Sequence, residues 1–267
     1  MRYLLFTFIA LMLWQCGPSD RELATKLLQS AEALQRNSKY NDAKILLDSL
    51  VCAYPEENEV ITKAKLVRKE GAIKEQERNV HFLDSLLQLK SKELKPLMVN
   101  FKLVVNEEGD SLLIHRYQNY ENSFNRSYIK ANLNSKGDFY LSSQYVGESP
   151  IFHTLLKAVA GESVAQTTDI PEDGLLNRRF EDEDTFWEII TLRDGMDNGI
   201  ADLIAKNRNN AVRVELRGKS GYTIYLESYD KEAISDGYEI SFVLKEIERL
   251  KKAISNAQKT IEKLKKE

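Results

Sequence analysis

The chain has two cysteines, Cys16 and Cys52, in 267 residues. Two cysteines cannot build a disulfide framework or, by themselves, a thiolate zinc site. The three histidines, His81, His115 and His153, have no second His or Cys at ligand spacing, so neither a metal nor a cofactor is expected. Five prolines and twelve glycines are too few for a collagen-like or linker-rich chain. A basic surplus is missing: 38 Lys and Arg face 41 Asp and Glu, a net charge of −3, so a general nucleic-acid binder is excluded. No Gly-x-Ser-x-Gly elbow is present. Gly218-Lys219-Ser220-Gly221 lacks the earlier glycine and the following helix of a phosphate loop and reads as a hairpin turn. No residue is assigned a catalytic role.

What is there begins with an address. Arg2 supplies a positive start, and Leu4 to Trp14 is an apolar run broken only by Thr7. It is shorter than the ~20 residues a bilayer span needs and fits the core of a secretory signal. The run ends in Leu13-Trp14-Gln15-Cys16-Gly17, and Asp20 follows. This resembles the lipobox of bacterial lipoproteins, of the looser Bacteroidota type, with Trp14 and Gln15 in place of the usual small residues. The resemblance implies cleavage after residue 15 and acylation of Cys16, leaving an outer-membrane-anchored envelope protein on the periplasmic or the surface side. Several acyl chains anchor far better than one.

Ser19 and Glu22 have capping-box spacing, so a helix is predicted from Asp20, with Leu23, Leu27, Ala31 and Leu34 at helical spacing. A second helix is predicted over 40–53. Tyr40, Ala43, Leu47 and Pro55 stand at the spacing of one tetratricopeptide repeat, which the segment resembles. Leu50 replaces the small residue usual there, the Trp, Gly and Tyr of the repeat's first helix are absent, and no second copy follows. A plain helical hairpin fits equally well. Cys52 is expected in or near the hairpin's packing.

From Asn58 to Lys95 no proline interrupts a Lys-, Glu- and Leu-rich segment, closed by Pro96. At the other end Val243, Ile247, Leu250, Ile254, Ala257, Ile261 and Leu264 alternate four and three residues apart, a heptad seam. A helix so polar needs a partner. The reading favours an antiparallel return onto the 58–95 helix, a coiled-coil-like stalk. Val243, Ile247, Leu250, Ile254, Ile261 and Leu264 are otherwise a contact seam for another protein or for self-association.

Between the long helices the composition shifts to aromatic and β-branched residues. Strands are predicted near 99–105, 112–118, 128–133, 139–145, 186–192, 212–216 and 222–226, with a helix over 196–207 and strands favoured over 153–168. The fold class is α+β: a mainly antiparallel β domain carrying a helix, an N-terminal helical hairpin and two long helices. The expected division is 1–15 signal, 16–57 anchor and hairpin, 58–96 stalk helix, 97–236 head and 237–267 heptad helix. The head holds 15 Lys and Arg against 23 Asp and Glu. Glu181-Asp182-Glu183-Asp184 reads as a solvated loop, and 194–199 as a helix start. His115 is expected on the polar face of its strand. Tyr117, Tyr120, Phe124, Tyr128, Tyr140, Tyr145 and Tyr225 are core residues or, if exposed in a row, a platform for sugar.

The expected function is a lipid-anchored, non-enzymatic adaptor or scaffold that binds another envelope protein. A carbohydrate-binding lipoprotein is the alternative, and a carboxylate hydrolase a third.

Overall fold

In the computed structural model, residues 18–105 and 109–266 are described. The signal run, Cys16 and part of the expected 107–110 turn lie outside them. The chain divides into two compact units, one formed by the residues up to Ser85 together with those from Lys252, the other by Leu86–Lys251. The division cuts through both long helices rather than falling at their ends.

In the first unit, α1 (Asp20–Arg36) and α2 (Tyr40–Ala53) form the expected hairpin. The Ser19 hydroxyl accepts the Glu22 N–H, which satisfies one of the helix's orphan donors. Ala24, Leu28, Ala31, Ala43, Leu47 and Leu50 interdigitate with Val60 and Ala64 of α3 (Asn58–Leu97). Gly71 of α3 has no side chain to block Gln35, whose amide reaches across to donate to the Val67 carbonyl at 2.7 Å. Cys52 is exposed, a correction to the packed thiol expected: the buried face of α2 runs through Ala43, Leu47 and Leu50, and residue 52 falls off that stripe. Pro96 sits inside the last turn of α3 instead of closing it.

The second unit is built on antiparallel sheets. Strands β1 (Phe101–Val105) and β2 (Ser111–His115) pair as a hairpin. One four-stranded sheet runs β3 (Tyr128–Leu133), β4 (Phe139–Gly147), β8 (Thr185–Leu192), β7 (Asn177–Asp182). The other runs β10 (Gly221–Tyr225), β9 (Arg213–Arg217), β5 (Leu155–Ala160), β6 (Ser163–Gln166). Their inner faces share one core with α4 (Ile200–Lys206) and the start of α5 (Ser228–Lys266): Ile129, Leu141, Ile190, Leu156, Leu216, Ile204 and Ile234 are all fully buried. Each such side chain contributes roughly 1.5–3 kcal/mol of burial. Period-two alternation turns Leu141, Ser143 and Tyr145 inward and Tyr140, Ser142 and Gln144 outward.

Strand β7 was not foreseen. Glu181 and Asp182 belong to it, and Glu183 and Asp184 form a two-residue hairpin turn with φ of 46° and 62°. Asp tolerates that geometry better than most non-glycine residues, which suits Asp184. Helix α4 starts at Ile200, four residues later than predicted, and Asp197 accepts the Ala201 N–H. The 134–138 turn is as expected. Its Gly137, at φ 90°, lies so close to α5 that a Cβ would meet the Ser241 carbonyl.

The two long helices touch within each unit. Leu94 and Leu97 join Ile240 and Leu244 in one apolar cluster of the second unit, and in the first Lys265 pairs with Glu77 at 3.4 Å.

Candidate functional site

Of the contact seam, Val243, Ile247, Leu250 and Ile254 are buried within this chain, and Ile261 and Leu264 are half-buried. Apolar surface already removed from water by the chain's own packing offers little to a second protein. Tyr128 and Tyr145 are core residues; Tyr117 and Tyr140 are half-buried, and Tyr225 is exposed on the other sheet. The side chain of Tyr120 lies outside the described set. The seven aromatics therefore form no single row.

His81 is exposed on α3. His115 is buried, which corrects its expected place on the polar face. It pairs across the β1–β2 ladder with Phe101, whose ring meets it edge-on at 4.9 Å. The backbone N–H of Tyr117 donates to its Nδ1, so Nε2 carries the hydrogen and donates to Asp236 Oδ2 at 3.3 Å. Asp236 also accepts from Asn100 at 3.0 Å and pairs with Arg208 at 2.7 Å. These partners hold its carboxyl below the usual carboxylate range despite burial. His115, Glu232 and Asp236 lie within 4.8 Å of one another, yet the set does not fit a metal. The ring nitrogen facing the carboxylates is the protonated one, and the Arg208 guanidinium already neutralises them.

A second buried network went unseen in the sequence. His153 Nδ1 donates to Glu188 Oε2 at 2.7 Å, and its Nε2 accepts from the Ser143 hydroxyl at 3.0 Å. The order Ser, His, acid is that of a hydrolase triad. All three are buried to 1% exposure or less. Ser143 stands in mid-strand, between Ile129 and Ile190 across the ladder, with its side chain in the core. It lines neither the cavity on the outer face of its sheet nor the one beside His115. In this arrangement the Ser143 hydroxyl has no exposure to solvent.

Glu188 holds the fold instead. The backbone N–H groups of Ile151, Phe152 and His153 all donate to its carboxylate at 2.7–2.8 Å. Phe152 at φ 56° supplies the left-handed step that lets consecutive N–H groups converge on an anion. Burial alone would raise this carboxyl; the His153 hydrogen bond and the Phe152 and His153 amides prevail and bring its pKa down to about 2. Arg179 stands 3.8 Å away.

The remaining candidate is the outer face of the β3-β4-β8-β7 sheet. A cavity of about 610 Å³ lies on it. Its floor is Ser142, Gln144 and Thr191; Asn132 and Tyr140 stand beside them. Three cations border it: Lys130 on β3, Arg178 on β7, and Arg193 just past the end of β8. None of the three forms an ion pair with a described residue, and no Asp or Glu lines the cavity. Desolvation lowers the pKa of Lys130. Arg193 lies 4.7 Å from the Tyr140 ring centre and reaches its hydroxyl. Further along the same face Phe180 stacks on Trp187 at 5.8 Å, and Phe124 packs against the indole at 5.3 Å. Phe180 is 50% exposed and Phe124 44%. The Gln144 amide fixes the loop carrying Phe124 by donating to the carbonyls of Ser123, Phe124 and Arg126.

Only outward-facing alternation marked these positions in the sequence; Arg178 and Phe180 were hidden in an unrecognised strand. Searches of protein-family models, curated proteins and solved structures found nothing that this chain matches.

Proposed function

We propose that this chain is a lipid-anchored envelope protein that acts by binding rather than by catalysis, and that the outer face of the β3-β4-β8-β7 sheet is its contact surface. The anchor rests on the sequence around Cys16. The contact surface rests on one observation: in a domain with an acidic excess, three unpaired cations border a cavity that no carboxylate lines. In a domain whose acidic residues outnumber its basic ones, cations gathered where no carboxylate lies mark a place for an anionic ligand. The sealed Ser143 hydroxyl supports a non-enzymatic reading.

Adaptor and scaffold roles both fit such a surface. A carbohydrate-binding role is the second reading, favoured by the exposed rings of Phe124 and Phe180 flanking Trp187. A photo-crosslinking residue at position 191, on the floor of the cavity, tests the surface in cells. A defined adduct is expected there and not from position 225, exposed on the other sheet. Equal or absent adducts from both would overturn the assignment.

A further inference from the structure

We infer that the occupant of this face is an acidic oligosaccharide, a chain of pyranose rings bearing carboxylates; the inference rests on the binding reading above. Three features of the face carry it.

The first is charge and its spacing. Lys130 and Arg178 stand on the two edge strands of the sheet, with β4 and β8 between them. Three inter-strand spacings and a two-residue offset along the ladders place their backbones about 16 Å apart. Arg193 sits off that line, over Tyr140. A single small anion reaches one of these cations. A chain with acid groups at intervals reaches all three, lying across the strands.

The second is the chemistry of the floor. Ser142 and Thr191 offer hydroxyls, and Asn132 spends its amide N–H on Ser142 at 2.9 Å, which leaves its carbonyl to accept. Such groups exchange hydrogen bonds with a hydroxyl-rich ligand. An extended peptide added to a sheet uses unpaired backbone groups at an edge, whereas β4 and β8, which carry this floor, are paired on both sides.

The third is the aromatic end. Phe180 presents one ring face outward while the other stacks on Trp187 with a 7° interplanar angle. A flat apolar ring next to a polar, cationic groove matches the two-sided character of a sugar, whose C–H face is apolar and whose rim is not.

The test is calorimetric titration of the full chain with hexagalacturonate, alongside uncharged maltohexaose and hexaglutamate. Hexagalacturonate is expected to bind, to weaken as salt rises, and to exceed maltohexaose by at least about tenfold. The K130A/R178A/R193A variant is expected to lose about tenfold or more with an unchanged circular dichroism spectrum. Phe180→Ala, a change at an exposed ring, is expected to weaken binding several-fold and serves if the triple variant fails to fold. No binding of hexagalacturonate, or binding untouched by a folded variant, would overturn the inference. Hexaglutamate binding alone, abolished by the triple variant, would overturn the sugar and keep the surface. Absence of both, with no adduct from position 191, would remove the surface as well.

Discussion

His153 donates its Nδ1 hydrogen to Glu188 at 2.7 Å, and that same carboxylate gathers three consecutive backbone N–H groups. One acid on β8 thereby fixes the chain that leads from the first four-stranded sheet into the second. Arg179 extends the network, donating to the His153 carbonyl at 3.2 Å, and Asn177 donates to the same carbonyl at 3.1 Å.

Glu188→Gln is expected to destabilise the protein by about 3–5 kcal/mol, because converging N–H donors lose the charge that satisfies them. The pH dependence follows from the lowered pKa. A carboxyl ordinarily near 4.5 and held at about 2 in the folded protein contributes stability that is complete above pH 4.5. That contribution, on the order of 3 kcal/mol, is lost as pH falls from 4.5 toward 2. Denaturant unfolding between pH 6 and 2.5 measures it; a variant whose stability fell as steeply as the wild type over that range would show that Glu188 is not the source.

Ser143 is expected to stay unlabelled by a fluorophosphonate probe in the folded protein. Mass spectrometry of the labelled chain checks this. An adduct on Ser143, absent from Ser143→Ala, would mean that the core opens and that the triad order is catalytic.

Gly137→Ala is expected to cost about 3 kcal/mol, from a left-handed backbone and a Cβ pressed on the Ser241 carbonyl. Gly161→Ala, also at positive φ but with open space around it, is expected to cost about 1 kcal/mol. Thermal melts compare them, with the first variant lower in Tm by several degrees. Equal melting temperatures would show that the turn does not bear on α5.

Cys16→Ala is expected to release the protein from bacterial membranes into the soluble fraction. Fractionation with a mass measurement of the wild-type N-terminal peptide checks it. Full membrane retention of the variant, with no acyl mass on the wild type, would dispose of the lipid anchor.

Local patterning was sufficient for much of the fold. The Ser19–Glu22 capping spacing, the apolar stripe of α2 and the Gly218–Gly221 turn each depend on residues a few positions apart, and the structure has the helices and the hairpin there. The α+β class followed from the same short-range signals, with the hairpin, the long helices and the antiparallel strands in their expected order. The misses share a cause. Strand β7 is Asn177-Arg178-Arg179-Phe180-Glu181-Asp182, with a single apolar residue. It is a strand because β8 offers it a ladder, and its own sequence carries little β preference. His115 has a polar type and an alternating position, yet it is buried because Asp236, 121 residues away, accepts a hydrogen bond from its Nε2.

The candidate site divides the same way. The sequence by itself determined that Tyr140, Ser142 and Gln144 share one face of a strand, since side chains alternate with period two. Only the tertiary structure decided that Lys130, Arg178 and Arg193 border one cavity, and that Ser143, His153 and Glu188 meet in the core. Both groupings join residues from separate strands and the segments that follow them. Their proximity is set by strand order and register, which depend on long-range pairing and on which faces are buried together. No spacing along the chain encodes either.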